Sequence, residues 1–506
     1  MDILSKLKHY AQTQPQSIAM KTDTQTITYQ ELDMASDSLS VFLEKRCGKN
    51  KYPIAVYGHK SPFMLIAMVA CVKSGRGYCP IDISVPNNRT QMILKQLDSP
   101  IILATENLNC DFKEIISLNQ MKKIIETTEP ISITENWVKG EDVFYIIFTS
   151  GSTGQPKGVE ITVNCLNNFL HWSLGLGTAP QEKSKKVFLN QAPFSFDLSV
   201  MDIYTSLAAG GTLWSLTKTV QSDYKLLLTS LKESKIAIWV STPSFVDICL
   251  TDKSFNSDLM PNLELFLFCG ETLTNATAEK LQQRFPCAKI MNTYGPTEST
   301  VAMTEILITP EVNARENPLP VGTPKKGTTI EIRKPDGSLA NEGEKGEIVI
   351  IGDTVSCGYY KQAEISQKVF FTPNHNQNQI RGYHTGDKGY LKNGNLYYCG
   401  RIDLQIKLHG YRIEIEDIEN NISKIADVAN AIVIPNVKNG AVKSLTAFIV
   451  YKKTIEDSFL ISQKIKEELR EFLPEYMIPK KIVFLDSMPL TDNAKANRQV
   501  LGGLSS

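Results

Sequence analysis

The chain has 506 residues, with 54 Lys+Arg against 54 Asp+Glu, so its formal net charge is zero. That balance supplies no field for steering nucleic acid or holding an anionic membrane, and neither partner is expected. The length is too great for a single core and the hydrophobic content of 42% is ordinary for a soluble globular protein, so two or more domains are expected.

Ile3, Leu4, Leu7 and Tyr10 recur at helical spacing, without the basic start and apolar centre of a secretion signal. Ile54–Tyr57 and Ile101–Ala104 read as strands with helical patterns between them, the alternation of a parallel α/β sheet. The longest apolar run, Phe63–Val72, is too short to span a bilayer, so no membrane insertion is expected. Ser61-Pro62 before it and Lys73-Ser74-Gly75 after it are start and stop signals, which predict a buried helix. The ten cysteines form no paired motif or zinc spacing. Nearly all are expected to be small buried hydrophobes, as Cys71 and Cys249 are by context, in a reducing cytoplasm.

The apolar run Val143–Phe148 predicts a buried strand, and the composition changes abruptly after it. Thr149, Ser150, Gly151, Ser152, Thr153, Gly154, Gln155, Pro156, Lys157 and Gly158 are hydroxyls, glycines and one lysine, with Gln and Pro between. Glycines permit close backbone approach, successive N–H groups cradle anions, and Lys157 adds positive charge. The chemistry points to a polyphosphate, although the Walker spacing is absent.

Ile236–Val240 and Leu263–Cys269 read as central strands, ending in small or polar residues where ligands bind in open α/β sheets. In Gln191–Asp202, Asp197 is an acid among apolar residues. It is either a helix cap or a buried carboxylate in need of a partner. Ala288–Met291 reads as a strand leading to Asn292, Thr293, Tyr294, Gly295, Pro296, Thr297 and Glu298, with a turn at Gly-Pro. From about 310 to 400, short strands between Gly, Pro and Asn turns predict a small β subdomain. A boundary is expected at Gly400-Arg401-Ile402-Asp403, giving units 1–402 and 403–506, the second a small α+β domain.

These stretches are spelled like those of the AMP-forming adenylate-forming superfamily, which the chain resembles over nearly its whole length. The Gln191–Asp202 spelling narrows the resemblance to the D-alanine-activating carrier-protein ligases. The resemblance implies a large N-terminal domain of α/β sheets with a β subdomain, and a mobile C-terminal domain. It implies ATP and Mg²⁺ as cofactors, with D-alanine and a phosphopantetheinylated D-alanyl carrier protein as partners.

In that resemblance, residues 149–154 and Lys157 serve the phosphates, Tyr294 stacks on adenine and Asn292 lies near its amino edge. Thr297 and Glu298 serve the α-phosphate and Mg²⁺, an ion that needs only one or two carboxylates beside phosphate oxygens. Asp387 accepts the ribose hydroxyls and Arg401 reaches a hydroxyl or phosphate oxygen. His384 is structural, because a carboxylate attacks the α-phosphate without a general base. Asp197 holds the substrate ammonium, and Cys269, Gly295 and Val301 border the substrate.

Asp403 resembles a hinge about which the small domain pivots between adenylation and transfer. The second orientation brings in Lys407, and Gly410 leaves room for the pantetheine arm. Lys495 matches the lysine that bridges the carboxylate and α-phosphate, and it also belongs to the ATP site. Its neighbours depart from the family spelling, with Ala494 for Gly and Asn497 for Asp. If the Gly position needs positive φ, Ala costs on the order of 1 kcal/mol. Two alternatives stay open: an adenylation enzyme for L-alanine or glycine, and a non-catalytic nucleotide or amino-acid sensor. A fatty-acyl ligase has no ammonium for Asp197 to bind.

Overall fold

The computed structural model describes residues 2–110, 112, 114–151, 155–177, 183, 185–373, 380–438, 441–455, 457–489 and 496–504. Local signals set the first elements. Asp2 caps the helix Ile3–Thr13 through Ser5 N, and Ile3, Leu4 and Leu7 are buried. Ser61 caps the helix Pro62–Lys73 through Met64 N. That helix is apolar on every side and buried along nearly all its length. The one charge it buries, Lys73, is compensated by Asp33 at 2.6 Å and Asp37 at 2.7 Å on the helix Tyr29–Cys47.

The large unit holds two α/β sheets. The first runs Gly358–Tyr359, Lys157–Thr162, Val143–Thr149, Tyr78–Asp82, Ile54–Gly58, Ile102–Ala104, Ile115–Ser117. It is parallel from Val143–Thr149 onward. The second has nine strands, with a parallel centre built from Lys289–Tyr294, Leu265–Phe268, Ile238–Ser241, Val187–Asn190, Thr212–Ser215 and Ile18–Lys21. One buried cluster joins both sheets through the helices Pro62–Lys73 and Leu198–Ala208.

A five-stranded antiparallel sheet spanning Thr328–Arg401 is the expected β subdomain. Its last strand, Asn395–Arg401, leads into the hairpin Gln405–Leu408/Tyr411–Glu414. Beyond lie the helices Ile415–Ser423 and Ser458–Arg470 and a three-stranded sheet, which share a core of their own.

Two expectations need correction. The strand expected to stop at Met291 continues to Tyr294, because Asn292, Thr293 and Tyr294 pair with Ile306, Glu305 and Thr304 on the neighbouring antiparallel strand Thr304–Leu307. The glycine-rich stretch joins two antiparallel strands, with Thr149 opposite Lys157. Among the cysteines, Cys71, Cys79, Cys165, Cys249 and Cys269 are buried, but Cys287, Cys357 and Cys399 are exposed. The strand of Cys399 is covered mainly at Leu396 and Tyr397, which leaves its far end open.

Candidate active site

The carboxyl ends of the central strands converge as sheet topology predicts. Cys269 follows Leu265–Phe268, and Asn292 to Tyr294 close the next strand. Asp197 stands at the start of the helix Leu198–Ala208 but makes no capping hydrogen bond with its side chain. Its carboxylate instead borders a cavity of about 30 Å³ shared with Phe196, Cys269, Gly295, Val301 and Lys407. Burial raises its pKa, and a hydrogen bond from Thr297 opposes that rise. A buried anion lacking a full counter-charge attracts a cation.

The neighbouring wall is strained. Thr300 and Val301, both β-branched, have φ of 62° and 68°. Such a conformation costs on the order of 1–3 kcal/mol per residue and persists only where the surroundings enforce it. Here Thr300 Oγ1 donates to Thr354 O at 2.7 Å, and the Cys269 thiol donates to Val301 O at 3.6 Å. Burial pushes the Cys269 thiol up, so it remains a neutral thiol. A Cβ on Gly295 would lie 2.5 Å from Ala302 Cα, so no side chain fits there.

The side expected to hold the nucleotide opens into a cavity of about 390 Å³ lined by Asn292, Thr293, Tyr294, Gly270, Arg401 and Lys407, among others. Asn292 Nδ2 donates to Pro320 O at 2.8 Å, which leaves its Oδ1 as the acceptor suited to an amino edge. Thr293 Oγ1 donates to Phe268 O at 2.8 Å. Tyr294 OH donates to Asp387 Oδ2 at 2.6 Å, and Arg401 Nη1 donates to Asp387 Oδ1 at 2.8 Å. Arg401 also grips Asp403 through two contacts of 2.6 and 2.8 Å, so the expected ribose and hinge residues form one chain. His384 pairs with Glu347 at 3.1 Å, in keeping with a structural role.

The side expected to hold the phosphates is occupied by the hairpin after Asp403. Ser150 Oγ donates to Arg412 O at 2.7 Å and accepts from Glu414 N at 3.3 Å. Lys157 Nζ lies 3.6 Å from Glu414. Burial, then the neighbouring Arg412 charge, lowers the Lys157 pKa. Glu298 is fully buried between Arg412, at 2.6 and 2.7 Å, and the Tyr359 hydroxyl at 2.7 Å. Burial alone would raise its pKa, but Arg412 and Lys157 hold it at about 2. Gly410 N donates to Glu271 Oε1 at 2.8 Å, and a Cβ on Gly410 would sit 2.4 Å from Thr242 Cγ2. Lys407 Nζ stands 5.9 Å from the Tyr294 ring centre.

The structure therefore gathers Lys157, Asp197, Cys269, 292–297, Val301, Asp387, Arg401 and Lys407 along adjoining cavities, with Ser150 and Glu298 joined to them through Arg412 and Thr149 and Gly151 beside Lys157. Ser152, Thr153, Gly154 and Lys495 lie outside the described residues. Roles for Arg412, Glu414, Tyr359 and Glu271 were not read from the sequence. Arg412 stood within the stretch singled out after the hinge, but its partner is 114 positions away. Among the described residues no cluster of three or more His, Cys, Asp or Glu side chains could hold a metal alone. Glu298 fits an ion completed by phosphate oxygens: it is ionised, and both its oxygens already face a cation.

The AMP-binding enzyme profile matches residues 7–360, and the profile of the AMP-binding enzyme C-terminal domain matches 417–495. The chain is 43% identical over 503 residues to the D-alanine–D-alanyl carrier protein ligase of Bacillus licheniformis, covering 99% of both chains. It is 44% identical over 508 residues to that of Bacillus cytotoxicus, again with 99% coverage of both. The fold matches a Vibrio cholerae adenylation domain in complex with glycyl-adenosine-5′-phosphate. There the TM-score is 0.84 at 21% identity, covering 99% of this chain and 96% of that one. It also matches a nonribosomal peptide synthetase protein with adenylation and PCP domains, at TM-score 0.84 and 24% identity, covering 99% of this chain and 84% of that one. The chain belongs to the AMP-binding enzyme family, in the branch of the D-alanine–D-alanyl carrier protein ligases.

Proposed function

We infer that the chain activates D-alanine with ATP to D-alanyl-AMP and pyrophosphate. It then passes the D-alanyl group to the phosphopantetheine thiol of a D-alanyl carrier protein. The pathway served is D-alanylation of lipoteichoic and wall teichoic acids, fed from the cytoplasm, where ATP and carrier reside. Asp197 carries the reading: it is a buried carboxylate, free of capping duty, beside a cavity sized for a very small side chain.

In the first step the ammonium pairs with Asp197 while the substrate carboxylate attacks the α-phosphorus. The bond from that phosphorus to the pyrophosphate oxygen breaks. Asn292 Oδ1 accepts from the adenine amino group, Tyr294 offers its ring, and Asp387 takes the ribose hydroxyls. Ser150, Lys157 and the intervening loop hold the phosphates. Lys495 steadies the charge that develops between carboxylate and α-phosphate. Mg²⁺, held by Glu298, would supply neutralising charge to the departing pyrophosphate.

In the second step the carrier's thiol gives up its proton. Its sulfur attacks the D-alanyl carbonyl, and the bond to the AMP oxygen breaks. The hairpin Gln405–Glu414 faces the site here, the arrangement the resemblance assigns to transfer. Lys407 then lies beside Asp197 and the nucleotide cavity. Arg412 uses the oxygens of Glu298 that the ion would need, so the hairpin seats only after ion and pyrophosphate have left.

ATP–pyrophosphate exchange tests the first step, run with D-alanine, L-alanine, glycine and no amino acid. D-Alanine should give the highest kcat/KM. Faster exchange with L-alanine or glycine would reassign the substrate, and no exchange with any would leave a sensor.

A further inference from the structure

We propose that Lys60 is a positioning residue of the amino-acid site: its buried ammonium gathers the backbone from which Asp197 is presented to the substrate. The proposal rests on Asp197 being the ammonium ligand.

Lys60 follows the strand Ile54–Gly58 of the first sheet and has no solvent exposure. Its Nζ donates to three carbonyls of the second sheet's carboxyl edge: Gln191 O, Leu216 O at 2.9 Å and Asn190 O at 3.4 Å. Asn190 and Gln191 open the segment that reaches Asp197 six residues later. The same junction is tied to the far side of Asp197. Asn190 Nδ2 donates to Ala192 O and to Asp202 Oδ1, both at 3.0 Å, and Asp202 lies on the helix that Asp197 precedes. Ser215 Oγ donates to Asn190 Oδ1 at 2.9 Å. Asp197 is thus fixed from its strand side through Lys60 and from its helix side through Asp202. Lys60 itself sits at φ 39°, a left-handed turn that its side-chain anchors hold.

Three carbonyls need three N–H donors, which only the ammonium form supplies. Burial lowers the Lys60 pKa to about 7, with Asp202 and Asp82 pulling it back up. Those two carboxylates and the adjoining His59, which is paired with Asp82 at 2.7 Å, are the titratable groups around it. As the pH rises through about 7 the amine loses one donor and the segment loosens, so KM for D-alanine should rise. KM for ATP should not follow, because its residues lie on other strands.

The experiment is steady-state pyrophosphate exchange at about pH 6 and about pH 8 for wild type, Lys60→Met and Asp197→Ala. D-Alanine and ATP are varied separately. At the lower pH, Lys60→Met should raise KM for D-alanine about tenfold, the loss of a charged hydrogen-bond donor, with KM for ATP held within about twofold. The wild-type KM for D-alanine should climb between the two pH values and that of Lys60→Met should not. An unchanged D-alanine KM beside a lowered Tm, or parallel rises in both KM values, would overturn the proposal. If Lys60→Met does not fold, the wild-type profile decides: a D-alanine KM that is flat across the two pH values overturns it. Asp197→Ala separates the two layers, since an intact D-alanine KM there removes the reading beneath the proposal.

Discussion

Asp197, Cys269 and Glu298 make separate predictions, because each is held by a different force. Removing one partner of a buried charge pair costs about 2–5 kcal/mol, so Asp197→Ala should lower kcat/KM for D-alanine by roughly two to three powers of ten. ATP binding should change little. If Asp197→Asn kept wild-type D-alanine use, the ammonium would be held elsewhere. With ammonium and carboxylate pinned, inversion at Cα exchanges hydrogen and methyl, and the Cys269 sulfur stands in the wall that one of them must meet. A methyl-sized difference is worth about 1–3 kcal/mol, so Cys269→Ala should narrow the D/L ratio of kcat/KM by about tenfold or more. An unchanged ratio would return Cys269 to plain packing. Glu298 is held at about 2 against its usual 4.5, a depressed carboxylate. Its contribution is therefore present above about pH 4.5 and is lost as the pH falls through about 2. A tenfold change in proton affinity is worth about 1.4 kcal/mol, so the effect is on the order of 3 kcal/mol. Acid unfolding of Glu298→Gln should show a shallower loss over that window, and an identical slope would contradict the pairing with Arg412.

At the scale of elements, the wall Thr300–Val301 and the hairpin Gln405–Glu414 do the shaping. Gly295→Ala would force a methyl to within 2.5 Å of Ala302 Cα, against a turn already in the left-handed region. It should abolish exchange with D-alanine while D-alanine-independent ATP binding by calorimetry survives; full exchange activity would show that the turn yields. Strand and helix positions were legible because periodicity and caps are local: Ser61-Pro62 announced the helix Pro62–Lys73, and Val143–Phe148 announced a strand. The strand Lys289–Tyr294 was cut short because its extension depends on pairing with Thr304–Ile306, which no local pattern records. The strand Lys157–Thr162, which pairs back antiparallel on Val143–Thr149, was not legible, because the composition of 149–158 does not record that pairing. The strain at Val301 left no sequence signal, since a β-branched residue argues against left-handed backbone.

At the scale of the molecule, the two-step function inferred above asks one cleft to serve two chemistries by exchanging what the small unit presents. The described arrangement presents Lys407, Gly410 and Arg412, and the hairpin that carries them bonds to Glu298, Glu271 and Ser150 of the large unit. The seating of the small unit in this arrangement had no local signature, because it rests on contacts such as Arg89 with Asp417, at 3.0 Å across 328 positions. Lys495→Ala should depress pyrophosphate exchange severely and spare transfer from preformed D-alanyl-AMP. Lys407→Ala should do the reverse, and equal losses in both half-reactions for either variant would contradict the rotation. The most direct test of the whole account is the intact mass of a phosphopantetheinylated D-alanyl carrier protein after incubation with this protein, ATP and D-alanine. One D-alanyl group per carrier is expected, released by hydroxylamine as a thioester should be. A carrier left unmodified by D-alanine but loaded by L-alanine or glycine would contradict it.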